Sequence, residues 1–336
     1  MAEKASAGAE PMAHHPRPRR GPRRPLVLLV NPGSGGKPGS PGADQEPWSG
    51  DPGELAVRLE RRGLEVELVV MSESDDPRGL ASRAAAEGRD FVAAGGDGTV
   101  RPAAEGLLDT GATLGILPLG SFNNIARGAG IPLELDGAMD RIVAGARRRI
   151  DAGVAWRLPH LPDPGAPPPE PPDDAVWFFE AAGAGIDAEG FGAARIIERK
   201  GWVFAMGAAW RALRRRGTPV LLIVDGHERR MASPAVTVCN GPYYGFGMSL
   251  APDADPGDGI LDVVAFSHMS RLAVLRHFVR SARERPPAEP RVWVHPARTV
   301  IIDGERRRLP AHADGRAIGP TPIAVTVRPG ALSVFS

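Results

Sequence analysis

The chain has 336 residues, a net charge of +1 at pH 7 and a hydrophobic fraction of 42%. That length allows two domains with full cores, and the near-neutral balance excludes a global attraction to nucleic acid. Cys239 is the only cysteine, which excludes an internal disulfide and a cysteine-clustered zinc site and suits a reducing cytoplasm.

Residues 1–24 read as a disordered basic tail, with Arg19, Arg20, Arg23 and Arg24 near its end. Two readings stand side by side: a solvated segment with no role, or attraction to anionic lipid headgroups. The apolar run 26–30 is shorter than a signal core of about 7–15 residues. It reads as the first strand and runs into Asn31-Pro32-Gly33-Ser34-Gly35-Gly36. No apolar run approaches the ~20 residues of a membrane span. Residues 54–62 fit an amphipathic helix stopped at Gly63. Residues 64–71 read as a strand and 77–87 as an Ala-rich helix. The buried strand 91–94 then enters Gly95-Gly96-Asp97-Gly98-Thr99-Val100, with a helix expected over 99–108 and Pro102 in its first turn. A strand at 114–117 ends in Pro118-Leu119-Gly120-Ser121-Phe122-Asn123-Asn124. Residues 122–149 add helices that end in Arg147-Arg148-Arg149. Strands alternating with helices predict an α/β domain with a parallel, Rossmann-like sheet over 25–150.

From about residue 150 the texture changes. A Pro-rich loop occupies 158–175. Short strands are expected at 176–181, 220–224, 235–240, 260–266, 292–294, 299–302 and 323–327, with helices near 191–216 and 270–284. Many short strands between Gly/Pro turns predict an all-β domain, a β-sandwich, over 151–336. The stretch 195–216 carries Trp202, Phe204 and Trp210 among Arg199, Lys200 and Arg214, Arg215 and Arg216. It reads either as a core-packed helix with a solvated basic face or as a helix on an anionic membrane.

Three strands thus end in polar, glycine-bearing loops. In an open α/β sheet the carboxyl ends of the strands form the ligand crevice. Glycines let the backbone approach a ligand closely, and successive N–H groups form an anion-binding concavity. Asp97 suits metal-water coordination or a hydrogen bond to a substrate hydroxyl. One such loop alone reads equally as a plain strand–turn–helix corner. None is a Walker A loop, because no Gly-Lys-Ser/Thr follows. A second cluster, 251–262, holds Asp253, Asp255, Asp258 and Asp262. It reads as an acidic β-turn or as oxygen ligands gathered for a hard cation.

Taken in order, Asn31-Pro32-x-Ser34-Gly35, then Gly95-Gly96-Asp97-Gly98-Thr99, then Pro118-Leu119-Gly120-Ser121-x-Asn123-x-x-Ala126-Arg127 resemble the diacylglycerol kinase and sphingosine kinase family. The branch resembled is its soluble bacterial lipid kinases, over residues 25–336. The resemblance implies a phosphofructokinase-like α/β domain followed by a β-sandwich. It implies ATP and Mg²⁺, with transfer of the γ-phosphate to a hydroxyl of a diacylglycerol-like lipid at the membrane surface. It also implies a cytoplasmic protein peripheral to the inner face of the membrane, with a homodimer left open. By position, Gly95, Gly96, Gly98 and Thr99 cradle the nucleotide phosphates and Asp97 serves the Mg²⁺–ATP side. Asn31, Ser34, Ser72, Ser121 and Asn123 join the nucleotide site, although Ser72 also reads as a plain loop hydroxyl. Asn124 stands where many members carry Asp. Asp255, Asp258 and the Ile260 carbonyl correspond to a structural Mg²⁺ site of some bacterial members.

The family places Asp-Gly-Glu before its last strands, and its acid accepts the proton of the substrate hydroxyl. Here Asp303-Gly304-Glu305 has those letters, whereas Asp314-Gly315-Arg316 has the context. Context puts Arg316 at the base position, and an arginine cannot accept a proton. Asp314 or Glu305 would then act instead. Two rival readings follow. One is a weakly active or non-catalytic nucleotide- and lipid-binding member. The other is a soluble NAD-kinase-like enzyme, against which the segments 118–127 and 258–262 argue.

Overall fold

The computed structural model describes residues 25–34, 49–163, 165–185, 188, 217–281 and 289–336. The basic tail 1–24, Gly35 and Gly36, and the helix expected at 191–216 lie outside the described residues. No described helix is long and apolar enough to cross a membrane.

The first unit alternates β1 (Leu26–Val30), α1 (Pro52–Arg61), β2 (Val66–Val70), α2 (Pro77–Ala86), β3 (Phe91–Gly95), α3 (Asp97–Gly106) and β4 (Thr113–Pro118). The short α4 (Asn124–Gly128) and α5 (Leu135–Ala144) follow. The strands are parallel, in the order β2-β1-β3-β4. All five residues of β1 and of β3 are buried, as expected of a parallel sheet covered on both faces. Helix starts follow local chemistry. The Asp51 carboxylate accepts from Gly53 N at 2.9 Å, and Asp76 accepts from Arg78 N and Gly79 N at 3.0 Å each. A proline opens each of these two helices, where a missing N–H costs nothing.

Two details differ from the sequence reading. Helix α3 starts at Asp97, so Pro102 lies inside it rather than in its first turn. This removes the donor to the Gly98 carbonyl. Arg147–Arg149 do not end a helix; they open β5 (Arg147–Arg157), and the expected domain boundary at 150 falls within that strand.

The second unit contains β6 (Val176–Phe178), β7 (Ala181–Gly185), β8 (Thr218–Val224), β9 (His227–Ser233), β10 (Ala235–Cys239), β11 (Tyr243–Tyr244), β12 (Met248–Ser249) and β13 (Leu261–Phe266). Helix α6 (Arg271–Ser281) precedes β14 (Val292–Ala297), β15 (Thr299–Asp303), β16 (Pro310–Ala313), β17 (Arg316–Pro320) and β18 (Ile323–Phe335). A six-stranded antiparallel sheet, β14-β13-β10-β7-β16-β17, faces β8, β15 and β18. Their apolar faces interdigitate: Leu222, Val300, Ile302 and Val325 meet Ala182, Val236, Val238 and Val263. The chain is therefore a mixed α/β unit with a parallel sheet, followed by an antiparallel β-sandwich.

The last strand joins the two. Near its end β18 runs parallel to β4, pairing Ser333 with Thr113, while along its length it is antiparallel to β5. The register shifts between Arg328 and Leu332; such an irregularity bends a strand and lets one strand serve both cores. Strand continuity thus joins the sandwich to the amino end of β4, while hydrogen bonds from Asn124 to Glu180 and Gly245 bring sandwich residues to the loop after its carboxyl end.

Candidate active site

Strands β1, β3 and β4 are neighbours in the sheet, so the loops after Val30, Gly95 and Pro118 lie side by side. The Asn31 amide donates to Thr99 Oγ1 at 2.9 Å and its oxygen accepts from Gly33 N at 3.0 Å. This ties the first loop, with Ser34 in it, to the start of α3. Gly96 and Gly120 touch: a Cβ on Gly120 would lie 2.5 Å from the Gly96 Cα, so neither position tolerates a side chain. Gly96 caps α3 without any side-chain hydrogen bond, and Gly98 in the first turn is exposed. An uncapped helix start bearing no bulky side chain is suited to phosphate. Ser121 stands beside it on the loop after β4. Asn123, at φ +50°, bonds both the N–H and the carbonyl of Gly120, at 2.9 and 2.7 Å. It shapes that loop from a buried position.

Because the Asn123 side chain is turned back, α4 lacks a cap of its own. Asp97 supplies one. Its Oδ2 accepts from Asn124 N at 3.0 Å and its Oδ1 from Ile125 N at 3.1 Å. Burial raises the Asp97 carboxyl above the usual carboxylate range, opposed by the Ile125 and Asn124 N–H groups. The Asn124 amide nitrogen donates to Glu180 Oε2 at 2.9 Å and to the Gly245 carbonyl at 2.7 Å, and Gly245 N donates to the same Glu180 oxygen at 3.0 Å. Glu180 comes from the sandwich side, so this contact joins the two units at the site. The sequence reading expects Asn124 to cost the site a charge; the structure sets a carboxylate against that amide.

Glu180 was not legible in the sequence, where 176–181 reads as one strand. The structure breaks that strand at Phe179 and Glu180. The cause is Asp314, at φ +43° in the turn between β16 and β17. Its Oδ2 accepts from Phe179 N at 2.8 Å, and its Oδ1 from Glu180 N and Ala181 N at 3.1 Å each. Burial pushes the Asp314 carboxyl up to about 6, against those N–H groups and Arg101. Burial, then the charges of Asp314 and Asp97, hold the Glu180 carboxyl well above its ordinary value.

Arg316 is engaged elsewhere. Its Nη2 donates to Glu105 Oε1 at 2.6 Å and to the Trp177 carbonyl, and its Nη1 lies 3.4 Å from Glu105 Oε2. Glu105, on α3, also accepts from Arg101 at 2.8 Å. Glu305 accepts from Arg230 Nε at 2.6 Å, and Arg230 lies on the edge strand β9, remote from β4 in the sheet order. Ser72 Oγ is bonded to Asp75 Oδ2 at 2.8 Å within its own turn at the far edge of the parallel sheet.

The second acidic cluster has its own partners. Asp255 Oδ1 is ion-paired with Arg148 and accepts from Gly257 N at 3.0 Å, while Asp258 Oδ1 accepts from Ile260 N at 2.9 Å. Asp151 accepts from Gly259 N and Gly330 N. Among the described residues no group of three or more His, Cys, Asp or Glu side chains is arranged for a metal. A guanidinium already on Asp255 repels a cation, so Asp255, Asp258 and the Ile260 carbonyl do not fit the metal site expected from the sequence. Mg²⁺ without nucleotide is therefore expected to leave the melting temperature unchanged. A rise that grows with Mg²⁺ by mass action and disappears in Asp258→Ala would restore the metal site.

Sequence comparison adds descent to this geometry. Residues 25–155 match the diacylglycerol kinase catalytic domain, and residues 181–336 match the YegS C-terminal NAD kinase beta sandwich-like domain. A diacylglycerol kinase of Mycobacterium tuberculosis is 31% identical over 288 residues, covering 83% of this chain and 87% of the relative. The chain belongs to the diacylglycerol kinase family. The family is one of kinases, and the match spans both units of the fold. A solved diacylglycerol kinase from Bacillus anthracis str. Sterne superposes with a TM-score of 0.66 at 19% identity, covering 93% of this chain and 96% of that one. It shares the architecture of α/β unit and sandwich. The Gly95–Thr99 segment lies within the matched residues 25–155 and forms the helix start described above.

Proposed function

We propose that the chain is an ATP-dependent lipid kinase that transfers the γ-phosphate of Mg²⁺–ATP to a hydroxyl of a diacylglycerol-like lipid. The observation that carries this reading is the meeting of an uncapped, glycine-lined α3 start with carboxylates from both units. Phosphoryl transfer asks for positioning and charge neutralisation more than covalent chemistry. Backbone N–H groups at 96–98 would hold the phosphates, and Asp97 would face the magnesium side of the nucleotide. The test is transfer of label from γ-³²P-ATP to lipids presented in mixed micelles, diacylglycerol first.

The substrate side favours an apolar acceptor. Phe246 is 59% exposed, beside Gly245, and packs edge-to-face on Phe122 with ring centroids 5.6 Å apart. Arg127 covers the Tyr243 ring at 3.7 Å. An exposed Phe246 braced on a half-buried Phe122 next to a phosphate-suited helix start suits a lipid that keeps its chains in a bilayer. The match of 25–155 to the diacylglycerol kinase catalytic domain likewise supports a lipid over a dinucleotide acceptor. Phe246→Ala is expected to raise KM for lipid about tenfold, the equivalent of losing part of one aromatic side chain's burial, with KM for ATP unchanged. Equal changes in both would detach Phe246 from the lipid side.

A non-catalytic role rests on Arg316 at the base position. Its engagement by Glu105 favours turnover instead, since the guanidinium is occupied in a contact between β17 and α3. Attachment at a membrane surface belongs to the same proposal, with the lipid acceptor as its reason.

A further inference from the structure

Three carboxylates converge where the units meet: Asp97 from α3, Asp314 from the β16–β17 turn and Glu180 from the break between β6 and β7. Their hydrogen bonds divide them. Asp97 accepts a backbone N–H on each oxygen, from Ile125 and from Asn124. Asp314 does the same, with three N–H groups spread over its two oxygens. Both therefore clamp the backbone, Asp97 on α4 and Asp314 on residues 179–181, and neither has an oxygen free of an accepted bond. Glu180 is different. Both bonds it accepts, from Asn124 Nδ2 and Gly245 N, fall on Oε2. Among the described residues Oε1 has no partner. Asp314 aims this side chain by holding its own backbone N–H, and Asn124 is bound at once to Glu180 and, through its N–H, to Asp97. Asn124 thus links Glu180 to the acid at the phosphate-suited helix start. Arg316 and Glu305, the other candidates near an Asp-Gly turn, are committed to Glu105 and Arg230.

We infer that Glu180 is the catalytic base of the proposed kinase, with Oε1 accepting the proton of the acceptor hydroxyl. The inference rests on the kinase reading above. As the hydroxyl oxygen forms its bond to the γ-phosphorus, its proton passes to Glu180 Oε1. The bond between the γ-phosphorus and the bridging oxygen breaks, and its electron pair leaves with ADP. Solvent later takes the proton from Glu180. The environment suits the task. Burial, then the charges of Asp314 and Asp97, hold the Glu180 carboxyl well above its ordinary value, which strengthens its hold on an incoming proton. The charged groups that set this are Asp314 and Asp97, which face Glu180. Arg101 acts on Asp314 and Arg127 acts on Asp97.

Glu180→Gln is the decisive variant, because an amide oxygen still accepts from Asn124 and Gly245 while the proton acceptor is gone. A purely structural Glu180 would survive this change. We expect kcat to fall about 10²–10⁴-fold, with ATP affinity and melting temperature unchanged. The acidic limb of the wild-type pH–rate profile should vanish with it. A variant within about threefold of wild type, where a lost base removes at least a hundredfold, overturns the inference. If Glu180→Gln fails to fold, Glu180→Asp, which keeps the carboxylate one methylene short, must retain the acidic limb at reduced kcat; loss of that limb overturns the inference. If wild type phosphorylates no lipid, the kinase reading falls by itself. ATP hydrolysis, with water as acceptor, then gives the same variant ratio. Absence of transfer to either acceptor overturns both.

Discussion

Replacing Asp97 with Asn is expected to lower phosphoryl transfer by at least about 10²-fold, since even a ~1 Å misplacement of catalytic groups costs that much. The reason is double. The carboxylate stands at the first turn of α3, where on the proposed reading it would face the nucleotide's magnesium. It is also the cap of α4, accepting N–H bonds from Asn124 and Ile125 on separate oxygens. Asparagine offers one oxygen and turns an NH₂ group toward the second N–H. One bond is lost, worth about 1 kcal/mol, so the fold survives with a small loss of stability. The loop carrying Ser121, Asn123 and Asn124 shifts, and Asn124 takes Glu180 with it. Each carboxylate oxygen has two lone-pair directions, so the backbone bonds leave Asp97 able to face a hydrated magnesium as well. The measurement is kcat across a Mg²⁺ titration alongside thermal melting. Retained turnover with unchanged Mg²⁺ dependence would remove Asp97 from the phosphate site.

The parts of this site that were legible in the sequence are those written in contiguous residues. The apolar run 26–30, the glycines at 95, 96, 98 and 120, and the hydroxyls and amides at the strand ends are local signals. A parallel sheet brings their loops together by topology alone. The acids that complete the site are set by long-range backbone bonds. Glu180 enters only because Asp314, 134 positions later, takes its N–H and breaks a strand that local pattern reads as continuous. Glu105 reads as one more charge on a helix, yet it is the partner of Arg316, 211 positions away. Ser72 shows the converse: its hydroxyl has a plausible motif position, but Asp75 three residues on captures it. The acidic turn at 255–260 looked like a cation site because Arg148, its actual counter-charge, lies 107 positions upstream. Short-range patterning identifies backbone cradles; it does not identify which charge neutralises which.

Arg316→Glu is expected to destabilise the protein by about 3 kcal/mol, the low end for breaking a buried ion pair, and to leave lipid phosphorylation no faster. Side-chain exposure is 4% at Glu105 and 35% at Arg316, so the carboxylate is the desolvated partner. It is held by Arg316 at 2.6 Å and Arg101 at 2.8 Å, with Arg78 at 3.9 Å. A glutamate at 316 would face Glu105 directly, abandon the Trp177 carbonyl and unpin β17 from α3. Arg101 would remain as partial compensation, which keeps the cost at that low end. Urea unfolding reads the loss as a lower midpoint. A double-mutant cycle on Arg316→Ala and Glu105→Ala should return a coupling of about 1–3 kcal/mol. The opposite result has a clear meaning. If Arg316→Glu instead raises phosphorylation with stability intact, position 316 faces the acceptor hydroxyl, the Glu105 contact is not held in solution, and Glu180 loses its place as the base.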